Sequence, residues 1–367
     1  LTPSPEPAGY RFACNGVFFL RRKIVKEVFK TIKNIGECMK SSMLSKKVHG
    51  CLLGGLIGDA MGAPVECWDY KKIEEKYGVI NDFKGEGTDD SAIKIIICNA
   101  IIENDGYAGI DELAESFLKS RDKFELFYIP VRNMFHKIET GISLPVNAGL
   151  GNMQSSSSAM SISPVGLINA CNPRQAALEA FEVAGLIHSG DTSFCRDAAA
   201  ALAASVAEAM KVSATVESIL ESAMMYLNKK SGAEMLGCIN DTLKLARKLK
   251  DYKTFRKAFT ATMIRQVICD SRETVPVALA LFYLAKGDPA KTIIYGANFG
   301  RDTDTIATMG GSIAGAFKSE NGISKEWIKK IQNGNSNQIE LTEKLVSVIV
   351  KRNKQNRKNI SDLEKLF

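Results

Sequence analysis

An all-α fold is what this chain predicts, and three features predict it. From about residue 44 apolar side chains recur three and four positions apart. The period-two alternation of strands is nearly absent, and segments such as RDAAAALAASVAEAM and GGSIAGA crowd small residues that let helix backbones approach closely. In chain order, helices are expected over 47–62, 89–104, 111–119, 123–139, 173–188, 193–210, 214–228, 234–249, 253–268, 274–286, 290–298, 304–317, 324–332 and 338–352. The first carries glycines at 50, 54, 55, 58 and 62. Each is worse than alanine in a helix by about 1 kcal/mol, so something must press against that backbone. The helices from 89 and from 304 each follow a glycine and an acidic cluster, in GEGTDDS and GRDTDT. Gly311 and Gly315 stand at GxxxG spacing, which in a chain with polar surroundings reads as tight helix packing rather than membrane dimerisation. The serines at 155–158 read as a loop, and no repeat of fixed period is present.

With 367 residues and 45% apolar content the chain can bury a large core, and no linker divides its middle. The expected organisation is a basic extension over 1–43, one all-α domain over 44–352 and a basic tail over 353–367. Residues 1–50 hold ten Lys and Arg against three Asp and Glu, which accounts for the whole net charge of +7. The remainder is balanced, and this argues against a nucleic-acid enzyme, whose bases should line the working domain. A second basic run, Lys351, Arg352, Lys354, Arg357 and Lys358, reads as a solvated helix end. Within the extension, Leu20, Ile24, Val25, Val28, Phe29, Ile32 and Ile35 fall on one helical stripe opposite lysines, which suits a docked helix. Nine scattered cysteines without a CxxC pair suit reduced thiols in an intracellular compartment, the cytoplasm, with organelle targeting left open. No apolar run reaches the roughly 20 residues of a transmembrane segment.

Chemistry concentrates in the two acidic clusters. Asp89 and Asp90 together with Asp302 and Asp304 would repel strongly in one pocket, and two divalent cations would neutralise them. Thr88, Thr305 and the carboxylates offer hard oxygens suited to Mg²⁺ or Mn²⁺, without the Cys or His expected for zinc. Neighbours on a helix project about 100° apart, so Asp89 and Asp90 can reach different ions. Asp302 and Asp304 converge only at a non-helical entry. Helix capping alone is the simpler alternative for either cluster.

A third motif, HGCLLGGLIGDAMGAPVE at 49–66, places Asp59 inside an apolar helix and Glu66 just past its end. GDAMGAPVE, then GEGTDDS, then GRDTDT, in that order, resemble the ADP-ribosylglycohydrolase family over about residues 47–340. The resemblance implies a compact, multi-helix orthogonal bundle with a two-metal centre that removes ADP-ribose from a modified protein side chain or a small conjugate. It assigns Thr88, Asp89, Asp90, Asp302, Asp304 and Thr305 to two Mg²⁺ or Mn²⁺ ions, and Glu66 to general acid/base work. In GNMQSSSSAMSISPVGL it points to Gly151, Asn152 and Ser155 as substrate contacts, and in GLIHSGD to His188. Two departures stand out: Ser161 sits where relatives often carry arginine, and Ser91 replaces a threonine. GxSxG, HExxH and GxxxxGK[ST] signatures are absent. A hydrolase of another ribosyl compound, or a non-catalytic crystallin-like or ADP-ribose-binding protein, are the alternatives. The sequence defines no oligomeric state.

Overall fold

Glycines four residues apart give one face of a helix no side chains, and that bare stripe sets the central contact of the fold. The computed structural model describes residues 42–332 and 338–367. Among them are sixteen α-helices and no strand: α1 (Met43–Gly62), α2 (Tyr70–Tyr77), α3 (Asp89–Glu103), α4 (Ile110–Lys119), α5 (Ile129–Glu139), α6 (Ser163–Ile168), α7 (Pro173–Val183), α8 (Phe194–Ala209), α9 (Val216–Met225), α10 (Ala233–Leu249), α11 (Tyr252–Thr262), α12 (Ser271–Leu284), α13 (Pro289–Ala297), α14 (Thr303–Lys318), α15 (Lys325–Gln332) and α16 (Gln338–Glu364). The amphipathic stripe expected at residues 20–35 lies outside the described residues. From Met43 onward the chain forms one compact unit.

Helices α1 and α14 run antiparallel with their backbones in contact. A Cβ on Gly54 would lie 2.2 Å from Gly311 O, one on Gly58 2.3 Å from Ala307 O, and one on Gly62 2.4 Å from Asp304 N. The contact therefore ends at the acidic cluster. Thr303 Oγ1 donates to Gly62 O at 2.9 Å and closes the pair at that end. At the other, Lys47 Nζ donates to Ala316 O and Phe317 O of α14 and to Ala209 O of α8, at 2.9, 3.0 and 2.7 Å, a cation placed on two helix C-termini. Leu53, Leu56, Ile57, Ala60 and Met61 of α1 pack with Ile293 and Ala297 of α13 and with Phe83, Ile323 and Ile331. The alanine-rich α8 is buried along nearly its whole length, and Ala200 and Ala204 meet Ala177 of α7.

Departures from the expected helices have local causes. The 123–139 helix is split into a 3₁₀ segment, Arg121–Leu126, and α5, because Pro130 has no N–H to continue the upstream hydrogen bonds and fits the first turn of a new helix. The 253–268 helix stops at Thr262, where Arg265 N turns to the Glu273 carboxylate at 2.6 Å instead of an upstream carbonyl. Helices α2 and α6 were not anticipated; each is short, and α2 buries only Ile73. The expected tail over 353–367 instead continues α16 to Glu364 with exposed side chains. Arg352, grouped with the solvated bases, is buried: Nη1 donates to Gly106 O at 2.9 Å and the guanidinium pairs with Glu179. By length and composition Met43–Val65 could cross a bilayer, but protein covers most of it.

Because backbone faces backbone in the α1–α14 contact, no side chain can yield. Gly311→Ala is expected to destabilise the protein by about 3 kcal/mol, the upper part of the overpacking range. Gly237→Ala, on an exposed turn of α10 with no atom near the new Cβ, should stabilise it by up to about 1 kcal/mol. Urea denaturation of both variants checks this, and equal effects contradict the contact.

Candidate metal centre

The end of α1 and the start of α14 are joined by a reciprocal backbone pair. Cys67 N donates to Arg301 O at 2.8 Å and Arg301 N to Trp68 O at 2.7 Å. Both Cys67 (φ 64°) and Arg301 (φ 66°) adopt the left-handed conformation, a strained choice for residues with a Cβ and one that clusters at functional sites. The Arg301 guanidinium grips the fully buried Glu273 through Nε at 2.5 Å and Nη2 at 2.9 Å. Glu66 is thereby set beside Asp302. Asp302 is the N-cap of α14, and Asp304 lies in its first turn, so the non-helical entry needed for convergence is present.

The other cluster opens α3. Thr88 is its N-cap, with Oγ1 accepting from Asp90 N at 3.4 Å. Capping and clustering thus coexist here. Behind the helix start, Asp59 accepts from Thr88 N and Ser91 N. The two clusters then interlock crosswise: Thr88 Oγ1 reaches Asp304 Oδ2 at 3.5 Å, and Thr305 Oγ1 donates to Asp90 Oδ2 at 3.2 Å. Carboxylate oxygens of Glu66, Asp302 and Asp304 all lie within 4.8 Å of one another. Asp302 Oδ2 also accepts from Ser156 Oγ at 3.1 Å, and Asp89 Oδ2 from Tyr128 N at 3.2 Å.

Crowding acids in this way is electrostatically costly. Burial, reinforced by the Asp59 and Glu66 charges, pushes Asp89 up to about 6. Burial and then Glu66 push Asp302 up to about 7, although Ser156 donates to it. Asp90 and Asp304 are raised well above the usual carboxylate range, first by burial and then by neighbouring acids, and Glu66 is raised by burial and Asp59. Asp90 Oδ1 and Asp304 Oδ1 are buried without any hydrogen-bond donor. Unpartnered hard oxygens among mutually repelling acids are what a divalent cation satisfies, so the donor set fits Mg²⁺ or Mn²⁺.

These acids form the floor of a cleft of about 650 Å³. Its walls come from Leu126–Ile129 and Arg132, from Met153, Ser156, Ser157 and Met160, and from Val267–Cys269. Arg132 is the only base among these lining residues. Its Nη2 donates to Glu125 O at 2.5 Å, its nearest acid, Glu125, is 3.8 Å away, and its buried Nε has no partner. Tyr128 lies against Cys269, and burial pushes its hydroxyl up to about 12.

Glu66, Thr88, Asp89, Asp90, Asp302, Asp304 and Thr305 are brought to one place, whereas Gly151, Asn152, Ser155 and His188 are absent from the cleft wall. Gly151 is exposed outside it. Asn152 is buried and pins the loop, its Nδ2 donating to Pro130 O at 3.0 Å and Ile187 O at 2.7 Å. His188, expected to face the cleft, is fully buried between Ser155 Oγ, 3.1 Å from Nε2, and Ser158 Oγ at Nδ1. Burial lowers it to about 4, so the imidazole is neutral near pH 7. Ser161 is also buried, and its hydroxyl donates to Asp90 O at 2.6 Å.

Sequence reasoning missed Ser156, Tyr128, Arg132, Cys67 and Cys269. Ser156 had a signal in the serine run. Cys269 was hidden by the helix expected through 268, and Arg132 by its place in an ordinary amphipathic segment.

The family profile described as ADP-ribosylglycohydrolase matches residues 40–357. The uncharacterized protein YegU of Escherichia coli (strain K12) is 26% identical over 306 residues, 77% of this chain and 90% of that protein. ADP-ribosylhydrolase ARH3 of Xenopus tropicalis is 25% identical over 317 residues, 77% of this chain and 89% of that protein. A solved structure described as an ADP-ribosylglycohydrolase-related protein complex superposes with a TM-score of 0.63 at 17% identity, covering 83% of this chain and 98% of its own. At that identity the likeness concerns the fold.

An acid raised in the folded state contributes stability that is complete below its unfolded pKa and lost as pH climbs through its folded value. With a chelator present, the melting temperature is expected to fall as pH rises from about 4, the unfolded value, through the folded values of about 6 and about 7. Mn²⁺ should raise it strongly at about pH 8 and little at about pH 5, where protons hold the same oxygens. Differential scanning fluorimetry measures both. Equal Mn²⁺ shifts at the two pH values contradict the reading.

Proposed function

The chain belongs to the ADP-ribosylglycohydrolase family, and from that premise we propose that it is a divalent-cation-dependent hydrolase of the glycosidic bond linking ADP-ribose to a modified protein side chain or small conjugate. The observation that carries this reading is the convergence of Asp89 and Asp90 with Asp302 and Asp304 on one cleft floor, beside Glu66 and with two buried carboxylate oxygens unpartnered. Thr88, Asp89, Asp90, Asp302, Asp304 and Thr305 would hold two ions, Mg²⁺ or Mn²⁺. What such a pair contributes when bound is Lewis acidity and fixed attachment for the ribose hydroxyls.

The remaining chemistry falls to side chains of this protein. Glu66 takes a proton from the attacking water, whose oxygen bonds to the anomeric carbon as the C–N or C–O bond breaks. The same proton then passes from Glu66 to the departing group. Burial and the charge of Asp59 raise Glu66, which suits a group that must both accept and return a proton. Ser156 orients Asp302, and Arg132 offers the cleft's positive charge to the substrate's diphosphate. Asn152, Ser155 and His188 act by holding the loop that presents Ser156 and Ser157, and Gly151 by letting it turn at φ 75°. An intracellular, reducing setting belongs to the same proposal, on the scattered cysteines without a CxxC pair. A second reading, hydrolysis of another ribosyl compound, is favoured by the hydroxyl-rich wall at Ser156 and Ser157.

A panel of ADP-ribosylated proteins and small conjugates, incubated with and without Mg²⁺ or Mn²⁺, is expected to release free ADP-ribose only with the cation. Asp302→Asn should lose that activity. Glu66→Gln should lower kcat about 100-fold or more while leaving ligand affinity unchanged. Cation-independent release, or full activity in Asp302→Asn, sinks the assignment; release of a different ribosyl product selects the second reading.

A further inference from the structure

Asp59 stands outside the scheme above and has no surface on the cleft. It is fully buried in an apolar glycine-rich turn of α1 and is absent from the residues that line the cleft. Its oxygens are nonetheless heavily used. Thr88 N donates to Oδ1 at 2.9 Å and to Oδ2 at 3.0 Å, and Oδ2 further accepts from Ser91 N at 3.0 Å and Ser91 Oγ at 2.6 Å. Gly87 is shaped around the same carboxylate, since a Cβ there would lie 2.6 Å from Asp59 Oδ2.

Capping does not account for this arrangement. Helix α3 already has its own cap in the Thr88 hydroxyl. Asp59 instead reaches across from another helix and clamps the residues on either side of Asp89 and Asp90. Helix α1 is also the one whose glycines lie on the backbone of α14, ending at Asp304. One rigid helix therefore sets the position of both acid pairs, by bare backbone on one side and by Asp59 on the other.

We propose that Asp59 is a positioning residue for the cation centre: it holds Asp89 and Asp90 in register with Asp302 and Asp304, so divalent-ion affinity depends on an acid that never touches the ion. This rests on the reading that the acidic floor binds cations, but not on which bond is cleaved. In Asp59→Asn the size is kept, while an NH₂ group is forced toward backbone N–H donors. In Ser91→Ala the charge is kept and only the 2.6 Å hydroxyl contact is removed.

Isothermal calorimetry with MnCl₂ on the full chain, with circular dichroism to confirm folding, tests the proposal without any substrate. Asp59→Asn should bind Mn²⁺ about ten-fold or more weakly, the effect typical of residues that orient metal ligands. Ser91→Ala should bind it several-fold more weakly, with its metal-free melting temperature near that of the parent. A merely structural Asp59 would lower the metal-free melting temperature and leave the Mn²⁺ affinity of folded protein unchanged. That result overturns the proposal, and where Asp59→Asn fails to fold, unchanged affinity in Ser91→Ala overturns it instead. If the parent protein takes up no Mn²⁺ at all, the cation reading itself falls.

Discussion

The backbone contact between α1 and α14 is the constraint from which the rest of the structure follows. A stripe without Cβ atoms lets the two helices lie closer than side chains permit, and each step of the stripe brings the pair nearer to Gly62 and Asp304. Where the contact ends, two chain segments distant in sequence are forced side by side, and the Cys67–Arg301 and Arg301–Trp68 hydrogen bonds lock them there. Helix propensity is given up along α1 for that closeness. The burial of Leu53, Ile57 and Met61 on its other faces offsets the loss.

Holding acids together is the second demand, and it opposes the first. Packing lowers the free energy of the chain while driving Asp90 and Asp304 out of water and toward one another. Hydroxyls and backbone N–H groups answer part of that demand: Thr305 serves Asp90, Ser156 serves Asp302 and the Tyr128 amide serves Asp89. What stays unanswered is Asp90 Oδ1 and Asp304 Oδ1, both buried without a hydrogen-bond donor. Two buried oxygens left without donors beneath an open cleft, in a member of a glycohydrolase family, are the ground on which the cation site is proposed.

Much of this was legible in the sequence because it is written in short-range patterns. The helical period, the glycines from Gly50 to Gly62 and the three ordered motifs each occupy a single stretch, so the all-α fold and the two acidic clusters could be read from the residues, and Glu66 from the resemblance that the motifs carry. The walls could not. Cys269 reaches the cleft because a tertiary hydrogen bond from Arg265 N to Glu273 ends a helix that periodicity would continue. His188 is pointed to by the resemblance alone, yet it is buried between Ser155 and Ser158, a fact about two segments and not one. Arg352 likewise belongs to a basic run by composition but to a buried pair with Glu179 by packing.

The most direct test of the central claim is anomalous diffraction from crystals of the protein grown with Mn²⁺. The account predicts two strong peaks on the cleft floor, each within bonding distance of oxygens from both acid clusters, Asp89 and Asp90 on one side and Asp302 and Asp304 on the other. Peaks bound by one cluster alone, or none at the floor while Mn²⁺ binds elsewhere, would contradict it.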